Sequence, residues 1–312
     1  MNTLPHHDAA AVAAALDSHR LIEALRTAFA RESAAPPRAQ HRLDAAGARI
    51  LLTMPAWNRD AIGVKLVTVF PENPARGLAA VSACYVLFDA GNGTVRATLD
   101  GKELTLRRTA AASALASQYL SRTDSGRLLM VGTGDLAPHL IQSHASVRPI
   151  GQVRIWGRTA EHARALAQRL GGGAWQVEAT TDLAGAVAWA DIISCATLAT
   201  SPLVPGAWLR AGQHLDLVGA FTPHMREADD EAVRRAEVFV DTREGALAES
   251  GELIQAIGRG SITREHIRAD LHELARGLHA GRQDPAAITL FKSVGHALED
   301  LAAAQLVVDR AG

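Results

Sequence analysis

The stretch Leu128-Leu129-Met130-Val131-Gly132-Thr133-Gly134-Asp135-Leu136-Ala137 constrains this chain more than any other. An apolar run of strand length leads into Gly-x-Gly-x-x-Ala, and a helical pattern follows. Gly132 permits a tight turn, Gly134 lets backbone approach a pyrophosphate, and Ala137 lets helix and strand pack closely. Thr133 lies between the glycines. The helix opening at Asp135 and Leu136 offers N–H groups and a partial positive charge to phosphates. This is the dinucleotide fingerprint, and its context is right, because a second strand-like run at 153–156 follows at the distance a βαβ unit needs. Further apolar runs at 192–196, 214–218 and 238–241 alternate with helical segments at 161–170 and 182–190. That alternation predicts a parallel sheet covered on both faces.

The residues before this region have another style. One helix is predicted over 8–32, ended by Pro36-Pro37. β-type runs follow at 50–54, 64–70, 85–88 and 95–99, with Ala90-Gly91-Asn92-Gly93 as a hairpin turn. A helix is expected over 105–120, and the polar stretch 121–127 reads as the boundary. The predicted class is α/β: a Rossmann-type doubly wound parallel sheet plus a second α+β domain.

Composition narrows the function. The 32 basic and 33 acidic residues leave a net charge of −1, which argues against an electrostatic nucleic-acid binder. No apolar run reaches the roughly 20 residues of a membrane span. Met1 to Asp8 lacks the pattern of a secretory signal, so a cytoplasmic protein is expected. Cys84 and Cys195 are expected to be buried free thiols. His6-His7 reads as a disordered terminus, and no His or Cys spacing supports a metal site.

At the end of the second strand, an NAD enzyme usually places Asp or Glu for the ribose 2′-hydroxyl. This chain has Trp156-Gly157-Arg158-Thr159. Arg158 can pair with a 2′-phosphate and Thr159 can donate to it, so NADPH is expected over NADH. Outside this half, Lys65 interrupts an apolar run, where lysine is costly unless paired or functional; the alternative is an edge strand with Lys65 facing water. Arg107-Arg108 are expected at the start of a helix, where cations are mildly unfavourable and a substrate carboxylate would explain them. Arg38 and Arg42 are further candidates.

The chain resembles the ornithine cyclodeaminase/mu-crystallin family over nearly its whole length. The resemblance rests on Gly63-Val64-Lys65, Asp100-Gly101 with Arg108-Thr109-Ala110-Ala111, and Gly132-Thr133-Gly134. It continues through Trp156 to Thr159, Thr197-Leu198-Ala199-Thr200 and Val218-Gly219-Ala220-Phe221-Thr222-Pro223, and ends with Thr289 to Asp300. It implies a substrate and dimerisation domain over 1–121, completed by 288–312, and a Rossmann domain over 122–287. It implies that Lys65 and Arg108 lie over the nicotinamide as catalytic and carboxylate-holding residues. Arg38 and Thr109 would assist in substrate binding. Thr197, Val218 and Gly219 would join the glycine turn in holding the cofactor, and a homodimer is implied.

The resemblance also implies a branch. Cyclodeaminases carry an Asp where this chain has Phe221, and Phe neither accepts a proton nor binds an ammonium ion as a carboxylate does. The chain is therefore similar to the ketimine reductases, which reduce Δ1-pyrroline-2-carboxylate and Δ1-piperideine-2-carboxylate to proline and pipecolate. The alternatives are a cyclodeaminase, an alanine-type dehydrogenase, and a non-enzymatic cofactor-binding protein. Lys65 could bind the carboxylate, orient a water or donate a proton. Only Lys65, Lys102 and Lys292 of the basic residues are lysine; the rest are arginine. Against that bias Lys65 and Lys292, both in family motifs, stand out, and arginine could not do a proton-transfer job at Lys65.

Overall fold

A computed structural model describes residues 4–311. The chain divides into two compact units, Met1–Thr109 with His296–Gly312, and Ala110–Gly295. In chain order the first holds β1 (His6–His7), α1 (Ala9–Ala15), α2 (Ser18–Ala30), β2 (Ala39–Arg42), β3 (Ile50–Trp57), β4 (Ala61–Val69), β5 (Val81–Asp89), β6 (Val95–Asp100) and the start of α3 (Gly101–Leu120). The second holds β7 (Arg127–Val131), α4 (Leu136–Val147), β8 (Gln152–Trp156), α5 (Ala160–Leu170), β9 (Gln176–Ala179), α6 (Leu183–Trp189), β10 (Ile192–Cys195) and β11 (His214–Leu217). It continues with α7 (Asp230–Arg235), β12 (Glu237–Val240), α8 (Arg243–Glu249), α9 (Gly251–Gly258), β13 (Ile267–Asp270), α10 (Leu271–Ala275) and β14 (Thr289–Lys292). The last helix, α11 (Ala297–Ala311), belongs to the first unit.

In the first unit, strands β2 to β6 form antiparallel pairs, and β1 adds to β6 in parallel. Residues 6 and 7 are thus not a disordered terminus: they are a short strand, and the His6 ring pairs with Thr98 Oγ1 at 2.9 Å. The helix expected over 8–32 is two. Asp8 caps α1 by accepting from Ala11 N, and Asp17 caps α2 by accepting from Arg20 N, so the chain turns between them. One sheet face buries Met54, Ala56, Tyr85, Leu87, Ala97 and Leu99, and α11 packs across β3, β4 and β5. The other face carries Pro55, Ile62, Val64, Leu66, Val86 and Phe88, all half-buried or exposed.

In the second unit the sheet order is β13-β12-β14-β11-β10-β7-β8-β9, and every pair is parallel. The strand order reverses at β7, so the carboxyl ends of β7 and β10 form a topological switch point, where such sheets bind ligands. β14 is inserted between β11 and β12. This corrects the expected return to the first unit at residue 288: residues 289–292 satisfy their backbone groups inside the parallel sheet, and the return begins at His296. Among the described residues no helix is long and apolar enough to cross a membrane.

Candidate functional site

Lys65 lies on β4, an interior strand, with its side chain on the buried face. The edge-strand alternative therefore fails. Its neighbour across the ladder is Tyr85, and Gly63 two residues earlier makes room for that ring. A Cβ at Gly63 would stand 1.9 Å from Tyr85 Oη, so only glycine fits. This gives the Gly-Val-Lys motif a packing reason.

Arg108 is the eighth residue of α3, which begins at Gly101, not at 105. The expected placement of Arg107-Arg108 at a helix start is corrected: the Asp100 carboxylate accepts from Glu103 N and starts the helix earlier. The two arginines then point apart. Arg107 bonds Glu103 Oε1 at 2.6 Å and Leu16 O at 3.0 Å. Arg108 is buried, and its Nε donates to Asp300 Oδ1 at 2.9 Å while Nη1 donates to Glu299 Oε2 at 2.5 Å. Lys65 Nζ lies 2.8 Å from both Asp300 oxygens and 3.4 Å from Thr105 Oγ1. Lys65, Arg108, Glu299 and Asp300 thus form one buried cluster of two cations and two anions, with Asp300 bridging the cations. Both acids sit in the first turn of α11, where negative charge is favoured.

Burial lowers the Lys65 pKa to about 8, Arg108 and Arg38 push it the same way, and Asp300 opposes them. Burial would lower the Arg108 pKa, but Asp300 and Glu299 more than reverse this, so the guanidinium stays charged. Burial alone would raise the Asp300 pKa, yet Arg108 and Lys65 hold it below the ordinary carboxylate range. Arg38 is half-buried ahead of β2, and its charge reaches Lys65. Thr109 is half-buried beside Arg108 on α3. Arg42 is exposed on β2.

Glu299 and Asp300 lie in the last sequence motif, which by itself gives them no role, and nothing local in the sequence marks Tyr85. The signal for the acids was available: two cations in apolar surroundings demand anions. The Tyr85 hydroxyl is fully buried without a hydrogen-bond partner among the described residues. Burial, then the Asp300 charge, raise its pKa well above the usual value. Tyr85→Phe removes an unsatisfied polar atom and keeps the ring, so urea denaturation should show stability unchanged or raised by up to about 1 kcal/mol.

In the second unit, Gly132 has φ +126°, a region that favours glycine, and its N–H donates to Trp156 O. A Cβ there would meet Ala196 O at 2.5 Å, so β7 and β10 close tightly at the switch point. At Gly134, by contrast, a Cβ would meet nothing within 4 Å. Thr133, Gly134, Asp135 and Leu136 are exposed or half-buried at the amino end of α4, and Asp135 makes no side-chain cap there. This open glycine before the N–H groups of a 12-residue helix fits a dinucleotide pyrophosphate. Gly157 packs on Thr133, with room for no Cβ, and Arg158 and Thr159 are exposed at the end of β8. Thr197 and Gly219 follow β10 and β11, and Val218 is buried between β11 and Gly219. Cys195 is buried, whereas Cys84 is only half-buried, on the outer face of β5; neither is paired. Among the described residues no group of three metal-ligating side chains occurs.

The family model described as "Ornithine cyclodeaminase/mu-crystallin family" matches residues 6–312. The chain is 41% identical over 259 residues to a Delta(1)-pyrroline-2-carboxylate reductase of Paracoccus denitrificans, covering 82% of each chain. Its fold is similar to that of Delta(1)-pyrroline-2-carboxylate reductase of Thermococcus litoralis, solved in complex with NADH and L-proline. The TM-score is 0.92 at 32% identity, covering 99% of this chain and 97% of the other. An archaeal alanine dehydrogenase dimer with bound NAD also matches with a TM-score of 0.92, at 27% identity over 99% and 96% of the chains.

Proposed function

This chain belongs to the ornithine cyclodeaminase/mu-crystallin family, and we propose that within it the protein is a nicotinamide-dependent reductase of cyclic ketimine carboxylates. Its substrates are Δ1-pyrroline-2-carboxylate and Δ1-piperideine-2-carboxylate, and its products L-proline and L-pipecolate. The observation that carries this is the meeting of Lys65 and Arg108 on Asp300, which holds two cations in one dry place, with the charge of Arg38 acting on Lys65, where a small carboxylate can be received. Phe221, exposed after β11, stands where cyclodeamination would need an acid.

Bound cofactor supplies a hydride to C2 of the imine. Arg108 takes the substrate carboxylate, assisted by the charge of Arg38, and Asp300 and Glu299 keep the guanidinium fixed so that little ordering is left to the binding step. Lys65 in its protonated form gives the imine nitrogen the proton that makes C2 electrophilic. A pKa of about 8 suits that task near neutral pH. Gly132, Thr133, Gly134, Asp135 and Leu136 hold the pyrophosphate, and Thr197, Val218 and Gly219 the nicotinamide end.

NADPH is preferred over NADH because Arg158 and Thr159, exposed after β8, can meet a 2′-phosphate. Arg158→Ala should lower the ratio of kcat/KM for NADPH to that for NADH by about tenfold or more, the value of one charge-assisted pair. An NADH preference that survives the substitution contradicts the assignment. The protein works as a homodimer. The half-exposed outer face of β3, β4 and β5 is the kind of apolar surface a second copy covers. Its unpaired cysteines suit the cytoplasm. Loss of reduced-nicotinamide absorbance with either imine, and no ammonia from ornithine with NAD, is the expected assay result; the reverse pair of outcomes overturns the reading.

A further inference from the structure

We propose that Glu227 is a positioning residue for the dinucleotide, the side chain that locks together the two loops following β10 and β11. The proposal rests on the cofactor assignment above. Glu227 is fully buried. Its Oε1 accepts from Thr197 N at 2.6 Å and from Thr197 Oγ1 at 2.8 Å, and its Oε2 accepts from Gly219 N at 2.8 Å. Three donors from two loops therefore converge on one carboxylate. The fit is tight: a Cβ at Gly219 would stand 2.1 Å from Thr197 O, 2.3 Å from Thr197 N and 2.5 Å from Glu227 Oε1.

The lock is itself anchored. Glu227 N donates to Glu252 Oε1 at 2.7 Å, and its carbonyl accepts from Leu203 N and Val204 N. Glu252 lies 3.5 Å from Lys292 Nζ, and both are fully buried. Lys292, the other lysine marked out by the arginine bias, thus places a cation beside two carboxylates.

A carboxylate is the group this geometry requires. It accepts only, whereas an amide would turn its NH2 against at least one of the three donors. Burying a charge is expensive, and a tie between two surface loops does not ordinarily need one. These loops stand at the switch point, next to the Gly132 turn, where a dinucleotide is received. Burial pushes the Glu227 pKa up to about 7, Glu252 adds to the rise and Lys292 opposes it. The buried Cys195 thiol on β10 also feels the Glu227 charge, and burial holds that thiol well above its ordinary range.

The test is direct binding of NADH, without substrate, to the full chain. NADH carries no 2′-phosphate, so no ligand phosphomonoester titrates. Fluorescence titration should show that Glu227→Gln weakens NADH binding about tenfold or more at pH 8, and KM for NADH should rise in step while KM for the imine stays constant. In the wild-type protein, Kd for NADH should rise as pH falls through about 7, because protonated Glu227 accepts fewer hydrogen bonds; in Glu227→Gln it should not follow. A variant that binds NADH as tightly as wild type at both pH 8 and pH 6 overturns the proposal. Should the variant fail to fold, the wild-type profile decides, and a Kd flat across that interval overturns it. If wild-type protein does not bind NADH at all, the cofactor assignment itself falls, an outcome distinct from a lock that proves dispensable.

Discussion

Lys65→Arg should lower kcat for cyclic imine reduction by about 10²–10⁴-fold, the range removed with a general acid. The variant keeps a cation opposite Asp300, so a purely electrostatic role would survive it. A proton-transfer role would not, because a guanidinium has no usable neutral form. Wild-type kcat/KM, corrected for the titration of the imine, should fall as pH rises through about 8, where Lys65 loses its proton. The arginine variant should lose that limb. Lys65→Met, which leaves Arg108 on Asp300, separates this loss from misfolding: it should bind cofactor normally and turn over no faster than the arginine variant. Turnover within about threefold of wild type in Lys65→Arg would assign Lys65 to carboxylate binding alone.

Arg108→Ala should damage both stability and activity. It leaves Glu299 and Asp300 buried, with Lys65 as the remaining cation of the cluster. Breaking a buried pair from one side costs about 3–5 kcal/mol. The deficit should shrink as pH falls toward the carboxylate range. Asp300 is held deprotonated in the native protein largely by Arg108, and without it the buried acid takes up a proton. On the proposed reading turnover should be nearly abolished as well, because the substrate carboxylate would lose its guanidinium partner. The adjacent Arg107 is the control. Its hydrogen bonds run to Glu103 and to the Leu16 carbonyl, so Arg107→Ala should cost about 1–2 kcal/mol and leave kcat near wild type. Equal effects at the two positions would contradict the assignment of the site.

The parts of the fold readable in the sequence are those where one periodicity rules. β7, β10, β11 and β12 are runs buried on both faces, β8 alternates with Val153 and Ile155 buried, and the glycine turn between β7 and α4 has one physical interpretation. β9 and β13 were missed because they are short edge strands: Gln176-Val177-Glu178-Ala179 and Ile267-Arg268-Ala269-Asp270 alternate weakly and close the sheet at its ends. β14 was legible as a motif but not as a member of the parallel sheet, since its place between β11 and β12 comes from pairing over a long sequence separation. In the site, Lys65 and Arg108 were legible as costly cations in apolar stretches. Their anions lie some 190 to 235 residues away in α11, and no local pattern connects them. Glu227 was invisible for the same reason: its neighbours in sequence look like a polar turn, and only the folded chain brings Thr197 and Gly219 to it.

The most direct measurement of the central claim is isotope transfer. The protein is incubated with Δ1-piperideine-2-carboxylate and reduced cofactor carrying deuterium at both C4 positions of the nicotinamide, and the product is analysed by mass spectrometry and NMR. The account predicts L-pipecolate carrying one deuterium at C2, formed in step with oxidised cofactor. Unlabelled product, or cofactor bound tightly while the imine is left intact, would contradict it.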